Sequence, residues 1–250
     1  MEISFDSFLY VWLGIAVSTF ILLFFISAPY GRHNRGGWGP QVDNKLGWII
    51  MELVSPAAIL YFFLTGSGHR NAAIWLFVGL WLFHYAYRSI YFPTQLNTKG
   101  KTIPLSIVVM AIFFNSVNGF TNGYYFGNFG NDYLNYNFAS LQFIGGFSLF
   151  IAGFYIHLKS DHILINLRKT NKGYVIPNEF LFKYVSSPNY LGEMMEWLGF
   201  AIMTNALSAW CFWVWTVANL FPRALANYRW YKSKFEDYPK DRKILIPRIF

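Results

Sequence analysis

Apolar residues gather in seven long runs, at about 8–28, 46–65, 72–92, 103–122, 139–158, 188–204 and 206–226. Each approaches the roughly 20 residues that carry a helix across a bilayer, the sixth being the shortest. The pattern predicts an all-α integral membrane protein of seven transmembrane helices, forming a single domain over residues 1–250. Pro29 is expected to end the first helix, and Pro56 to kink the second. The first run has no basic residue ahead of it and is too long for a signal-peptide core, so it is expected to remain as a helix. Between runs lie a basic, glycine-containing loop from Tyr30 to Gly37 and a polar loop holding Asn97, Lys99 and Lys101. The segment from Asn122 to Asn137, rich in Asn, Gly and Tyr without Lys or Arg, reads as a loop on the opposite side with its tyrosines at the headgroup belt.

Polar residues interrupt these runs at helical spacing. In the stretch from Ser186 to Trp197, Pro188 opens a helix that carries Asn189, Glu193 and Glu196 at i, i+4 and i+7, all on one side. Carboxylates at membrane depth are costly and normally face a protein interior or a wet cavity. Glu52 lies six residues into the second run and Tyr85 seven residues back from the end of the third. At 1.5 Å per residue both are about 9–10 Å deep, in one layer. If the fifth helix continues past the bilayer, His157, Asp161 and Arg168 share a face at i, i+4 and i+11, with Ile163, Leu164, Ile165 and Leu167 apolar between them. Arg223, Asn227 and Tyr231 recur at i, i+4 and i+8 where the last helix leaves the membrane.

Composition narrows the function classes. With 55% hydrophobic, 22% aromatic and 13% charged residues, the chain is too apolar for an ordinary soluble domain. Its net charge of +8 would suggest nucleic acid in a soluble protein, but here the distribution decides. With the N-terminus outside, 19 of the 20 Lys and Arg fall on the cytoplasmic side and only Arg70 outside. That asymmetry predicts an external N-terminus, a cytoplasmic C-terminus and no nucleic-acid partner. The single cysteine, Cys211, is read as packing, and His157 with Asp161 lacks a third ligand at metal spacing, so no metal is expected.

The outer polar residues are cationic and amide-rich, as an anionic ligand with hydrogen-bonding heterocycles requires. Tyr30 and Arg32 are placed to help cover a phosphate. The inner pair is an acid and a phenol, able to donate hydrogen bonds to a carbonyl oxygen and to stabilise an enolate. With a hydride donor nearby, that chemistry is conjugate reduction of an enone. No glycine fingerprint between a strand and a helix is present, so a nucleotide would be held by membrane helices and their loops.

From Tyr30-Gly31 onward the chain resembles the steroid 5-alpha-reductase family. The likeness rests on Glu52-Leu53, His84-Tyr85 with Arg88, Ser160-Asp161, Leu167-Arg168-Lys169, Tyr174 with Ile176-Pro177, and Tyr184-Val185-Ser186. It continues through Asn189-Tyr190-Leu191-Gly192-Glu193 with Glu196-Trp197, and Phe235-Glu236-Asp237-Tyr238-Pro239 to Ile246-Pro247. The resemblance implies an NADPH-dependent enzyme that reduces the C4–C5 double bond of a 3-oxo-Δ4 steroid. Glu52 and Tyr85 would hold the 3-keto oxygen. Asp161, Arg168, Tyr174, Asn189, Glu193, Arg223 and Tyr231 would contact the cofactor, with Arg88 and Lys101 as further contacts and Arg168 on a phosphate. Met51 stands where the family commonly has Gln, His157 where an Asn is expected near the nicotinamide, and Asn227 where a His is expected near the cofactor. The expected partners are a steroid or similar flat enone and membrane lipid, the expected state a monomer. The expected location is a bacterial inner membrane or the endoplasmic reticulum membrane, with the cofactor site facing the cytoplasm.

The Asn-Tyr-Leu-Gly-Glu stretch also resembles isoprenylcysteine methyltransferases, which would bind S-adenosylmethionine and would not need Glu52 opposite Tyr85. Larger sterol reductases share it but usually have more spans. A retinal protein needs a lysine in its last span, and residues 206–222 contain none.

Overall fold

The computed structural model describes residues 4–98 and 100–249; Lys99 of the expected basic loop lies outside them. Its elements run α1 (Phe5–Phe25), β1 (Gln41–Asp43), α2 (Asn44–Thr65), α3 (Ala72–Ala86), α4 (Phe92–Gln95), β2 (Thr102–Pro104), α5 (Leu105–Asn128), α6 (Leu141–Thr170), α7 (Pro188–Thr204) and α8 (Leu207–Lys234). A π-helical turn, Tyr87–Tyr91, joins α3 to α4. Helix starts follow side-chain capping: Ser4 accepts from the Ser7 amide, Asp43 from Leu46 and Asn71 from Ile74, each taking up an amide that the first turn leaves without a helical partner. Pro188 occupies the first turn of α7, where its missing N–H costs nothing. Among the described residues four helices, α1, α2, α5 and α6, are long and apolar enough to cross a membrane.

The chain forms two compact units. One comprises residues up to Ser27 and from Leu141 onward, that is α1, α6, α7, α8 and the tail. Within it α6 and α7 pack backbone to backbone. A Cβ on Gly153 would fall on the Glu196 amide nitrogen, and one on Gly192 on the His157 amide nitrogen. Helix α8 is held to α1 by Trp12 and Trp215, 4.6 Å apart, and to α7 by Trp197 against the edge of Phe212 at 4.6 Å.

The other unit, Ala28–Ser140, is built on α2 against α5, with α3 beside them. Small residues again permit the approach: Gly119 and Gly123 lie against the α2 backbone at Ser55 and Ile59. Two three-residue strands, β1 and β2, pair antiparallel with Val42 opposite Ile103. No alternation in so short a stretch announces them.

Several boundaries differ from the sequence reading. Helix α1 stops at Phe25, where the Ile26 amide closes the last turn on Leu22, four residues short of Pro29. Helix α5 starts after Pro104, because residues 102–104 are drawn into β2. It then continues to Asn128 through the expected loop, because packing on α2 overrides the poor helix propensity of its glycines. Tyr133, one of the tyrosines expected at the headgroup belt, is buried, 5.6 Å from Phe77. Helix α6 does continue, as far as Thr170.

Candidate active site

In the Ala28–Ser140 unit, Glu52 on α2 and Tyr85 on α3 are both buried, 8% and 4% exposed. One residue of α5 ties their helices together. Asn115 accepts from the Tyr85 phenol at 3.5 Å and donates from Nδ2 to the carbonyl of Met51, the residue before Glu52, at 2.7 Å. Trp81 stacks on Tyr85 at 5.7 Å and anchors its own indole N–H on Ser55. Arg88, expected as a cofactor contact, lies 3.2 Å from Glu52 Oε1. Lys101 stands exposed ahead of β2, its backbone carbonyl accepting from Asn44 at 3.1 Å.

In the other unit, close α6–α7 packing brings three carboxylates onto one imidazole. His157 Nε2 is 3.2 Å from Asp161 Oδ2 and 3.7 Å from Glu193 Oε2, and Nδ1 is 3.4 Å from Glu196 Oε2. Asn189 donates from Nδ2 to Asp161 Oδ1 at 3.2 Å. Thus His157, Asp161, Asn189 and Glu193, expected together, are together. Glu196, placed on the right face by its spacing but given no role, is the fully buried member that holds the far side of the ring.

Arg168, at the end of α6, lies over Tyr174 at 5.7 Å, and Tyr174 meets Trp230 at 4.8 Å. Trp230 abuts Tyr231, which stacks on Tyr238 at 5.4 Å. Asn227 and Arg223 lie one and two turns ahead of Tyr231 on α8. The sequence reading missed Arg242, which is 2% exposed, bonds the Pro177 carbonyl at 2.9 Å and Asn178 at 3.3 Å, and lies over Tyr238 at 5.1 Å. Only its occurrence within the tail motif signalled it. Ser186 meets the Tyr238 hydroxyl at 2.7 Å. Burial pushes that phenol above its usual range, partly offset by Ser186 and by the Arg242 charge.

Long apolar helices fit a membrane protein, and buried ionisable side chains collect in each unit. Residues 101–250 match the family model described as 3-oxo-5-alpha-steroid 4-dehydrogenase. The chain is 42% identical over 243 residues to steroid 5-alpha-reductase DET2 of Gossypium hirsutum, covering 94% of this chain and 93% of that one. It is 41% identical to the Arabidopsis thaliana protein of the same name (93% and 91% covered) and 36% identical to 3-oxo-5-alpha-steroid 4-dehydrogenase 1 of Homo sapiens (90% and 87%). The chain belongs to the 3-oxo-5-alpha-steroid 4-dehydrogenase family and is an oxidoreductase.

Proposed function

We propose that this protein reduces the C4–C5 double bond of 3-oxo-Δ4 steroids to 5α-3-oxosteroids at the expense of NADPH, in a membrane it crosses seven times with the N-terminus outside. The observation that carries the reading is the buried acid and phenol on neighbouring helices, Glu52 and Tyr85, tied through Asn115. The relatives' names supply the reaction class.

The residues fit a polar dinucleotide. Ser160 and Ser187 have fully buried hydroxyls without a hydrogen-bond partner, beside Asp161 and at the start of α7. Such groups are costly unless a ligand completes them. Asp161, Asn189 and Glu193 offer acceptors and an amide to the heterocycle and ribose, with His157 fixed among them. Arg168 offers a guanidinium to phosphate, and Tyr174, Arg223, Asn227 and Tyr231 offer further polar groups on the same unit. Bound NADPH supplies the hydride that ends at C5.

Tyr85 donates its phenolic hydrogen bond to the 3-keto oxygen, and Glu52 orients that oxygen. As C5 gains its hydrogen, the π electrons move toward oxygen and an enolate charge develops there. Groups already aimed at that oxygen stabilise this charge without reorganising. A proton arriving at C4 restores the ketone, so the product carries two hydrogens more than the substrate. The apolar surroundings keep competing water away from the enolate.

Purified protein given NADPH and progesterone or testosterone is expected to consume NADPH and release a product heavier by two hydrogens. Glu52→Gln and Tyr85→Phe should each lower turnover by about 100-fold or more, the scale for losing a group that holds a developing oxyanion. Undiminished turnover in both variants rejects these roles, and methyl transfer from S-adenosylmethionine would reject the reaction itself.

A further inference from the structure

We infer that Arg88 is a positioning residue for Glu52 and takes no part in gripping the cofactor. The inference rests on the reading of Glu52 as the acid that faces the steroid ketone. Four contacts fix the Arg88 side chain and backbone from α2 and α4. Its Nη2 lies 3.2 Å from Glu52 Oε1, with the two side chains only 16% and 11% exposed. The guanidinium lies over the Trp48 ring at 4.9 Å and the Phe92 ring at 5.6 Å. The Trp48 indole N–H, in turn, donates to the Arg88 carbonyl at 3.2 Å, so one α2 side chain holds Arg88 at both ends.

The backbone is shaped to the same purpose. Arg88 sits in the π-helical turn Tyr87–Tyr91, where the Phe92 amide bonds the Tyr87 carbonyl five residues back. One extra residue in that turn shifts everything after Tyr85 out of simple α-helical register, and such turns concentrate at functional sites. Ser89 locks the turn by donating its hydroxyl to the Tyr85 carbonyl. The phenol that meets substrate and the arginine that meets the acid are thereby set from one rigid segment.

The chemistry follows from the geometry. A planar guanidinium resting against two aromatic rings that themselves meet at 5.9 Å is held in place, and its charge-assisted hydrogen bond fixes the Glu52 carboxyl in turn. With Oε1 accepting from Arg88, the proton by which the Glu52 acid hydrogen-bonds the ketone is carried on Oε2. Glu52 and the two rings all lie on α2 and α4, so the contacts that hold the guanidinium come from the Glu52 side of the chain.

The test is a double-mutant cycle on purified full-length protein, with NADPH affinity measured by titration in each variant. Arg88→Gln should lower kcat by about 10- to 100-fold, the scale of misplacing a catalytic group by an ångström. Its NADPH dissociation constant should stay within about twofold of wild type, and Arg88→Lys, which keeps the charge but not the planar fork, should fall between. The Glu52→Gln/Arg88→Gln double variant should be no slower than Glu52→Gln alone, because the arginine acts through the acid. An NADPH dissociation constant raised about tenfold at unchanged kcat would assign Arg88 to the cofactor and overturn the inference, as would losses that multiply in the double variant. If wild type reduces no enone, the proposed reaction fails on its own. The pairing is then read from thermal unfolding of the same four proteins: coupled losses support it and independent losses overturn it.

Discussion

At the scale of single residues, the tail shows how a surface-looking sequence becomes part of a core. The stretch from Phe235 to Pro247 is basic and turn-containing, and the reading of its composition gave it no chemistry. Yet Tyr238 is 7% exposed and Arg242 2%, held by Ser186 and by the 177–178 carbonyl and amide oxygens. These partners lie 52 to 65 residues apart in sequence, which no local pattern encodes. Because burial raises the folded-state pKa of Tyr238 above 10.0, its contribution to stability is complete below the unfolded value and is lost as pH rises through the folded one. Melting of wild-type protein should therefore fall more steeply above about pH 10 than melting of Tyr238→Phe, which at neutral pH should cost about 1 kcal/mol for the lost hydrogen bond. Parallel melting curves for the two proteins across that range would remove Tyr238 from the alkaline transition. Asp161, Asn189 and Glu193, by contrast, were legible beforehand, because i, i+4 spacing on two apolar helices already aims each set to one side.

Among elements, helix existence was written plainly in the apolar runs, while helix pairing was written in glycines that the runs conceal. Gly146 and Gly153 on α6 face Gly199 and Gly192 on α7, each pair of glycines seven residues apart on its own helix. Between membrane helices, where lipid is as apolar as leucine, close backbone approach of this kind supplies the attraction that burial supplies in water. It also sets the site: the Gly192 position adjoins the His157 amide, which is why the imidazole reaches Glu193 and Glu196. Gly153→Ala should destabilise detergent-solubilised protein by about 2–3 kcal/mol, since a methyl there overlaps the Glu196 backbone and the helices must separate. Gly145→Ala, eight positions earlier with nothing within 4 Å of its Cβ, should be neutral within about 0.5 kcal/mol and serves as the control. Equal melting temperatures for the two variants would contradict the seam. The extension of α5 has the same origin, because its glycines are spaced for α2, whereas composition alone makes them look like loop.

For the molecule as a whole, charge placement carries the argument about orientation, and its single exception has a local explanation. Of the 20 Lys and Arg residues, only Arg70 would lie outside in the proposed topology. Its Nη2 bonds the carbonyls of Phe63, Leu64 and Gly66 at 3.3, 2.8 and 2.7 Å. Phe63 and Leu64 supply two of the last carbonyls of α2, which have no amide partner in their own helix and carry the negative end of its dipole, and Gly66 is its C-cap. Arg70 is thus a helix cap and not a topological signal. Arg70→Gln should cost about 1–2 kcal/mol of stability through the lost charge-assisted bonds. It should leave the orientation untouched, because 19 positive charges still favour the cytoplasmic side. Reporter fusions check this directly: a fluorescent protein after residue 249 should mature in the cytoplasm in both wild type and Arg70→Gln. A fusion within residues 134–140, the segment ahead of α6, should report only when its reporter works outside. A C-terminal fusion silent in the cytoplasm but active outside would reverse the proposed topology, and with it the proposed access of cytoplasmic NADPH to the His157 cluster.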